Sequence, residues 1–512
     1  GARSERSRRR GRLSDDRAGR RTAPRSTGCA VMQRQIRRLG VALLAAFGLL
    51  FLQLNYVQVV NADKYANAPG NTRKATVDFS RERGVIQTAD GVLLARSAPT
   101  NDALKRLRQY PEGDLFAQIT GFFSFTYGSD GVERVYGSEL AGRRLAIRRL
   151  SDVLTNRTRT GDVTLTLTKR LQLVAKNALG PRKGAVVAIN PTDGSILAMW
   201  SSPSYDPNPL SGHDQRAVVA AWKRLQADPN KPMLPRAYRE RYSPGSTFKV
   251  VTAAAALDQA PELVTRRYPI HTELPLPETN RPLPNFGGEA CGGTLPDLLR
   301  VSCNTGFGQM GLDLGGEKLS GEAKGFGFDQ TPPLDLPAVA RSVFPDATAF
   351  VHDKPALAKS AIGQQDVAAT PLEMALVASA IANGGVAMRP HVLAEIRDSE
   401  GAVVQSWQPR PWVQAASPGT ASKLRDMMVG VVTGGTATRA AVPGVVVAAK
   451  TGTAQTIGDN AHAWLIAFAP ADAPKVAVAV IVESQPGLGD NVTGGRVAAP
   501  IASAMMAAAL GK

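Results

Sequence analysis

Cysteine is almost missing from this chain. Three occur in 512 residues, at positions 29, 291 and 303, and no CxxC pair is present. That excludes a disulfide-framework domain and a CxxC zinc site. Histidine is nearly as scarce. The five, at 213, 271, 352, 391 and 462, are scattered and include no HExxH, so no metal site is expected. Acidic residues are outnumbered, 43 against 61 Lys and Arg, which leaves a net charge of +18. A charge of that size first suggests nucleic acid, but its placement argues otherwise. Residues 1–38 hold thirteen arginines and three acids, and so carry ten of the eighteen charges. The excess is a basic tail rather than a basic body. No zinc-finger, RRM or KH spacing accompanies it, so no nucleic-acid partner is expected. Internal repeats are absent too. With 43% hydrophobic and 20% charged residues, the chain reads as folded, with room for two or three domains.

Only one long hydrophobic run is present. Residues 39–52 carry no charge, and uncharged sequence continues to Val60, 22 residues in all. A helix needs about 20 residues to cross a bilayer core, so 39–60 is expected to be a single transmembrane anchor. Tyr56 falls where interfacial aromatics gather. Gln53, Asn55 and Gln58 either mark the end of the span or face a partner helix. A cleaved signal peptide is the competing reading; no small-x-small site follows closely, and the polar-flecked extension is long. Arg34, Arg37 and Arg38 precede the run. By the positive-inside rule the N-terminus is then cytoplasmic, and residues 61–512 lie outside the plasma membrane. Residues 1–38 are expected to be a disordered tail, and Met32 is a more natural start than Gly1.

Residues 61–160 read as a modest α+β pedestal. Within them, residues 83–95 alternate around Asp90-Gly91, which predicts a β-hairpin. From residue 161 the character changes, and 161–512 reads as one further domain. Residues 162–168 alternate as a strand and 169–179 have helical spacing. Residues 184–200 read as a hairpin of two buried strands. Near the other end, 445–449, 464–468 and 476–482 are apolar strands, and 501–510 is a closing helix. A long helical middle, including 250–257 and 372–382, separates the two sets. Strands from both ends sharing one sheet, with a helical insert and a final helix, give an α+β fold.

The informative segment is Tyr242-Ser-Pro-Gly-Ser-Thr-Phe-Lys-Val250. Pro244 and Gly245 make a turn, which puts Ser246 near a helix N-terminus and Lys249 on the same face three residues on. A serine hydroxyl is a weak nucleophile at neutral pH, but a neutral lysine within reach can take its proton. The helix N-terminus favours negative charge developing there. SxxK alone occurs often by chance. Ser302-Cys-Asn304 supplies a second polar triplet, and Lys450-Thr-Gly-Thr-Ala454 ends an apolar strand. The separations are 56 residues from Ser246 to Ser302 and 148 from Ser302 to Lys450. Order, spacing and local context together match the SxxK, SxN and KTG signature of penicillin-binding proteins and serine β-lactamases.

On these motifs, residues 32–512 resemble a class B penicillin-binding protein of the penicillin-binding protein A type of actinobacteria. Arg83-Gly-Val-Ile86 with Asp90-Gly91 is similar to the family's pedestal motif. Gly194-Ser-Ile-Leu-Ala-Met199 and Pro203-Ser-Tyr-Asp-Pro-Asn208 are similar to its opening hairpin, and Ala361-Ile-Gly-Gln364 with Thr370-Pro-Leu-Glu-Met374 to a later helical motif. The resemblance implies the transpeptidase fold, a five-stranded sheet between helical layers with a helical subdomain. It implies a D,D-transpeptidase that cross-links peptidoglycan stem peptides and is acylated by β-lactams, with no cofactor. Ser246 would attack the penultimate D-Ala carbonyl, and Lys249 would be the base. Ser302, helped by Lys450, would relay a proton to the leaving amine. Asn304 would hold the substrate backbone, and Thr451, Gly452 and Thr453 would bind substrate, with the amides of Ser246 and Thr453 as oxyanion hole. A SEDS-type glycosyltransferase is the implied partner.

The expected orientation puts Cys291 and Cys303 on the oxidising side of the membrane. A disulfide between them is expected, the alternative being two buried thiols. His462 and Trp464 read as packing residues. A β-lactamase or carboxypeptidase, a β-lactam sensor and a non-catalytic scaffold are the competing functions.

Overall fold

The computed structural model of the chain describes residues 27–61, 79–142, 160–455, 461–484 and 493–512. The chain divides into two units, residues 1–74 and 75–512. In the first, helix α1 (Thr27–Asn55) continues into a wider turn at Tyr56–Val60. The helix starts twelve residues before the apolar run, so residues 27–38 are helical rather than part of a disordered tail. Their Ala, Met, Gln and Arg are good helix formers, and no proline interrupts them. Residues 1–26 of the expected tail lie outside the described residues. Met32–Val60 is long and apolar enough to cross a membrane. Its side chains lack protein cover: Leu44 is 74% and Phe51 69% exposed. An apolar surface of that kind is at home in lipid. Asn55 Nδ2 donates back to the Phe51 carbonyl of the same helix.

The second unit opens with a six-stranded sheet. Strand β1 (Ile86–Gln87) turns through Gly91, at φ +76°, into β2 (Leu93–Pro99), which pairs with β3 (Arg106–Gln109). On its other edge β1 pairs in parallel with β4 (Gly161–Leu165). The strand Leu393–Asp398 pairs antiparallel with β4 and is followed outward by Val403–Ser406. This sheet therefore combines segments from both sides of residue 160. It is braced by a buried ion triad. Arg83 Nε donates to Glu133 Oε2 at 2.7 Å and Arg108 Nε to Oε1 at 2.6 Å. Burial alone would raise the Glu133 pKa, but the two guanidiniums hold it below the ordinary carboxylate range.

Helix α2 (Lys169–Leu179) leads into the main sheet. Strands β5 (Gly184–Ile189) and β6 (Ile196–Ser202) form its first hairpin. The helical middle comes next: α3 (Lys249–Gln259), α4 (Leu295–Val301), α5 (Asn304–Gly325) and α6 (Pro371–Ala382). Strands β7 (Ala448–Gln455), β8 (Ala461–Ala469) and β9 (Val476–Val482) return to the sheet, and α7 (Ala499–Ala509) closes the fold. The order is β7-β8-β9-β5-β6, with every pairing antiparallel. Helices α2 and α7 pack against this sheet and each other, and α6 also packs on it. Every residue of β5 and β9 is buried, and their sequences are continuously apolar rather than alternating. The expected α+β transpeptidase architecture is the one found.

Replacing Glu133 by alanine leaves two buried guanidiniums without a counter-charge. Loss of one member of such a group costs about 3 kcal/mol. The thermal midpoint of the full chain in detergent should fall clearly for Glu133→Ala and less for Glu133→Gln. An unchanged midpoint in the alanine variant would show that the triad braces nothing.

Candidate active site

The serine turn is wedged between the sheet and the helical region. Gly245–Thr247 is a single 3-10 turn, and α3 starts two residues later. Gly245 has φ +53°, and a Cβ there would lie 2.9 Å from the Thr453 carbonyl. From the other side, a Cβ on Gly452 would lie 2.9 Å from both the Pro244 carbonyl and Thr247 Cγ2. Only glycine at both positions lets strand β7 run this close to the turn. Trp464 Nε1, on β8, donates to the Ser243 carbonyl at 3.0 Å. The Gly363 carbonyl accepts from Ser243 Oγ at 2.7 Å and from the Gly245 amide at 2.8 Å. The Ala361-Ile-Gly-Gln364 segment thus buttresses the serine turn.

Ser246, Ser302, Asn304, Thr451 and Thr453 all line one cavity of about 1070 Å³. Beneath it lie Lys249 and Lys450, both with no solvent exposure. They meet at Ser302. Lys450 Nζ donates to Ser302 Oγ at 2.8 Å and to the Thr451 carbonyl at 2.9 Å. Lys249 Nζ donates to the Ser302 carbonyl and to Asn304 Oδ1, each at 2.7 Å, and reaches Ser302 Oγ at 3.4 Å. Ser302 itself is left-handed, at φ 61° and ψ 42°, a conformation that costs a non-glycine residue on the order of 1 kcal/mol. Three segments far apart in sequence therefore converge on one hydroxyl.

Burial, and secondarily the cation of Lys450, push the Lys249 pKa well below the ordinary lysine range. Burial pulls Lys450 down to about 7. Lys249 is also the first residue of α3, where the helix dipole further disfavours a positive charge. The direct Ser246–Lys249 hydrogen bond expected from the SxxK spacing is not formed: Ser246 Oγ has no hydrogen-bond partner among the described residues, and Lys249 is turned toward Ser302 and Asn304. The Ser302 carbonyl and the Asn304 amide oxygen are better acceptors than a hydroxyl, and such contacts often tighten only with substrate bound. Asn304 Nδ2 is likewise engaged, donating to the Pro284 carbonyl at 2.9 Å.

Cys291 and Cys303 are joined, with Cα atoms 5.8 Å apart. The bond ties the strand Cys291–Gly293 to the triplet that carries Ser302 and Asn304. Trp464 is fully buried, with Tyr242 edge-on to its ring. Several participants carry no sequence signal. Tyr242 OH and Arg236 Nε both donate to Glu483 Oε1 at 2.7 Å, which fixes the start of the serine segment. Thr436 Oγ1 lies 2.5 Å from Thr451 Oγ1, and Arg439 and Arg496 also line the cavity. Each is an ordinary polar residue in a short helical turn or a connecting segment, distinguished only by what the fold places beside it. No cluster of three or more metal-ligating side chains occurs among the described residues.

Comparison with known proteins places these features in a family. Residues 184–507 match the model of the penicillin binding protein transpeptidase domain, and residues 83–163 that of the penicillin binding protein A dimerisation domain. The peptidoglycan D,D-transpeptidase PbpA of Mycolicibacterium smegmatis is 43% identical over 497 residues, covering 94% of this chain and 99% of that protein. Its counterpart in Mycobacterium tuberculosis H37Rv is 42% identical over 498 residues, with the same coverage. Among solved structures, the ceftriaxone acyl-enzyme of M. tuberculosis penicillin-binding protein A superposes with a TM-score of 0.79 at 41% identity, covering 85% of this chain and all of that one. The penicillin G acyl-enzyme of the same protein gives 0.77 at 42% identity, covering 84% and 100%.

The buried Lys450 makes stability depend on pH. Its pKa is about 7 in the folded chain and near the ordinary lysine value of 10.5 when unfolded. Between those values the unfolded chain binds more protons, so stability rises with pH, by about 1 kcal/mol per unit for one such group. Below about pH 7 the cost of burial is fully present. Chemical denaturation at about pH 7, 8 and 9 should show wild type gaining on Lys450→Met across the series. Parallel curves would mean that Lys450 is not desolvated as described.

Proposed function

The chain belongs to the penicillin-binding protein transpeptidase family and is a serine D,D-transpeptidase of peptidoglycan, and from that premise we propose the roles of its residues. Ser246 Oγ attacks the carbonyl carbon of the penultimate D-Ala of a stem peptide. Lys249, its pKa held down by burial, takes the hydroxyl proton as the C–O bond forms. The oxyanion is received by the backbone amides of Ser246 and Thr453, where losing one donor costs about 10²–10³ in rate. As the C–N bond breaks, a proton passes through Ser302 Oγ, backed by Lys450, to the departing D-Ala nitrogen. The amine of an acceptor stem then attacks the ester, forms the cross-link and returns the proton to Ser246. Asn304, Thr451 and Gly452 complete the substrate-binding strand and loop. The observation that carries this reading is the shared hydroxyl of Ser302 between two buried lysines beneath the serine turn.

Anchor and pedestal fit the same reading. Residues 39–60 hold the chain in the plasma membrane. The arginines before them put the tail in the cytoplasm, with the pedestal, 61–160, and the transpeptidase domain, 161–512, outside. The Cys291–Cys303 bond suits that oxidising side. Strand polymerisation falls to a membrane glycosyltransferase of the SEDS type within a wall-synthesis complex.

Intact-mass measurement of the full chain in detergent with benzylpenicillin should show a stable adduct of one drug, absent in Ser246→Ala. Hydrolysed drug over unmodified protein would make the chain a β-lactamase. Intact drug without adduct would leave a scaffold. The pH dependence of acylation derives from the two lysines. Efficiency gains as Lys249, whose pKa burial depresses, loses its proton, and declines as Lys450 loses its own near pH 7. A rate that is flat from about pH 5 to about 9 would remove both lysines from these roles.

A further inference from the structure

Helix α5, which begins with Asn304, has no cap of its own. Its N-cap residue is Cys303, whose side chain offers no oxygen and whose sulfur is bonded to Cys291. Two amides at the start of α5, those of Asn304 and Thr305, donate instead to one atom far upstream, Asn285 Oδ1, each at 2.9 Å. Asn285 is only 6% exposed. Its Nδ2 donates to the carbonyls of His271 at 2.7 Å and Glu289 at 3.0 Å, and contacts Thr305 Oγ1 at 3.3 Å. The side chain is thus engaged at both ends. Asn285 also follows Pro284, whose carbonyl receives Asn304 Nδ2. Asn304 is therefore held at its backbone by Asn285 and at its side chain by the neighbouring carbonyl. The atom left over, Asn304 Oδ1, receives Lys249 Nζ at 2.7 Å.

We propose that Asn285 is a positioning residue of the acyl-transfer site, which caps α5 from outside and so sets Asn304, and through it Lys249, in place. The inference rests on the reading of Lys249 as the base for Ser246. Asparagine suits the position because it accepts and donates at once. Aspartate accepts but cannot donate to the two carbonyls, and serine is too short to span them. The same bonds stitch the segment 283–290, most of which lines the cavity, to the SxN triplet.

Acylation of the full chain in detergent by benzylpenicillin, followed by intact mass, tests this with Asn285→Ala, Asn304→Ala and the double variant. Displacing a catalytic group by about 1 Å can cost about 10²-fold, so Asn285→Ala should slow the first-order acylation step by about that much. The drug concentration for half-saturation should change little. Because Asn285 acts through Asn304, the double variant should be no more than about threefold slower than Asn304→Ala alone. Asn285→Asp keeps the shared acceptor and should acylate at least about tenfold faster than Asn285→Ala. Wild-type acylation in a folded Asn285→Ala variant overturns the proposal, as do multiplicative effects in the double variant. If the alanine variant does not fold, a folded Asn285→Asp variant that acylates no faster than Asn304→Ala overturns it equally. Failure of wild type to acylate would instead sink the underlying reading of the site.

Discussion

Two lysines with no solvent exposure share the hydroxyl of Ser302, and much of the active domain is arranged to make that tolerable. An ammonium taken out of water costs several kcal/mol, and a second beside it adds repulsion. Deprotonation relieves both costs, and a neutral amine is what a serine nucleophile needs as its base. Desolvation is thus a destabilising feature of the fold and, on the proposed roles, a source of its chemistry. Ser302 accepts part of the strain, with a left-handed backbone that brings its carbonyl and its hydroxyl to the amines.

Such a cluster is useful only if the serine above it cannot drift. Strand β7 provides the fixed edge. It belongs to a sheet whose inner strands are buried on both faces, so its position is set by close packing rather than by any one contact. Glycines at 245 and 452 let the turn and the strand approach until backbone meets backbone. Trp464 and Gly363 then hold the turn by hydrogen bonds to and from its main chain. The turn that carries Ser246 is set by backbone geometry, which side-chain rotamers cannot undo.

Much of this was legible in the residues themselves. The apolar strands, the helix 169–179 and the three motifs carry local signals: continuous hydrophobic runs, a 3.6-residue period, and turn residues beside a nucleophile. Long-range supports left no such trace. Tyr242, Arg236 and Glu483 meet across more than two hundred residues of sequence, and Glu483 reads as a plain acid after a strand. Asn285 lies in an irregular stretch between short strands, where periodicity says nothing. The orientation of Lys249 was missed for a related reason. Spacing puts a side chain on a face, but which acceptor it chooses depends on a carbonyl supplied by a left-handed residue 53 positions away.

The cavity also bears on the fate of the acyl-enzyme. Hydrolysis of an acyl-serine needs a base that can activate water beside the ester. Among the described residues lining the cavity, the carboxylates are Glu289 and Asp297. Asp297 is committed to the capping box of α4, accepting from the Thr294 amide at 3.0 Å and from Thr294 Oγ1 at 2.7 Å. Those bonds hold its pKa below the ordinary range, which makes it a poor base. Glu289 is exposed to solvent, at the end of the segment stitched down by Asn285. Neither is a desolvated carboxylate poised over Ser246. An amine brings its own lone pair and needs only to lose a proton to the buried lysines, whereas water needs a base that these two residues do not supply.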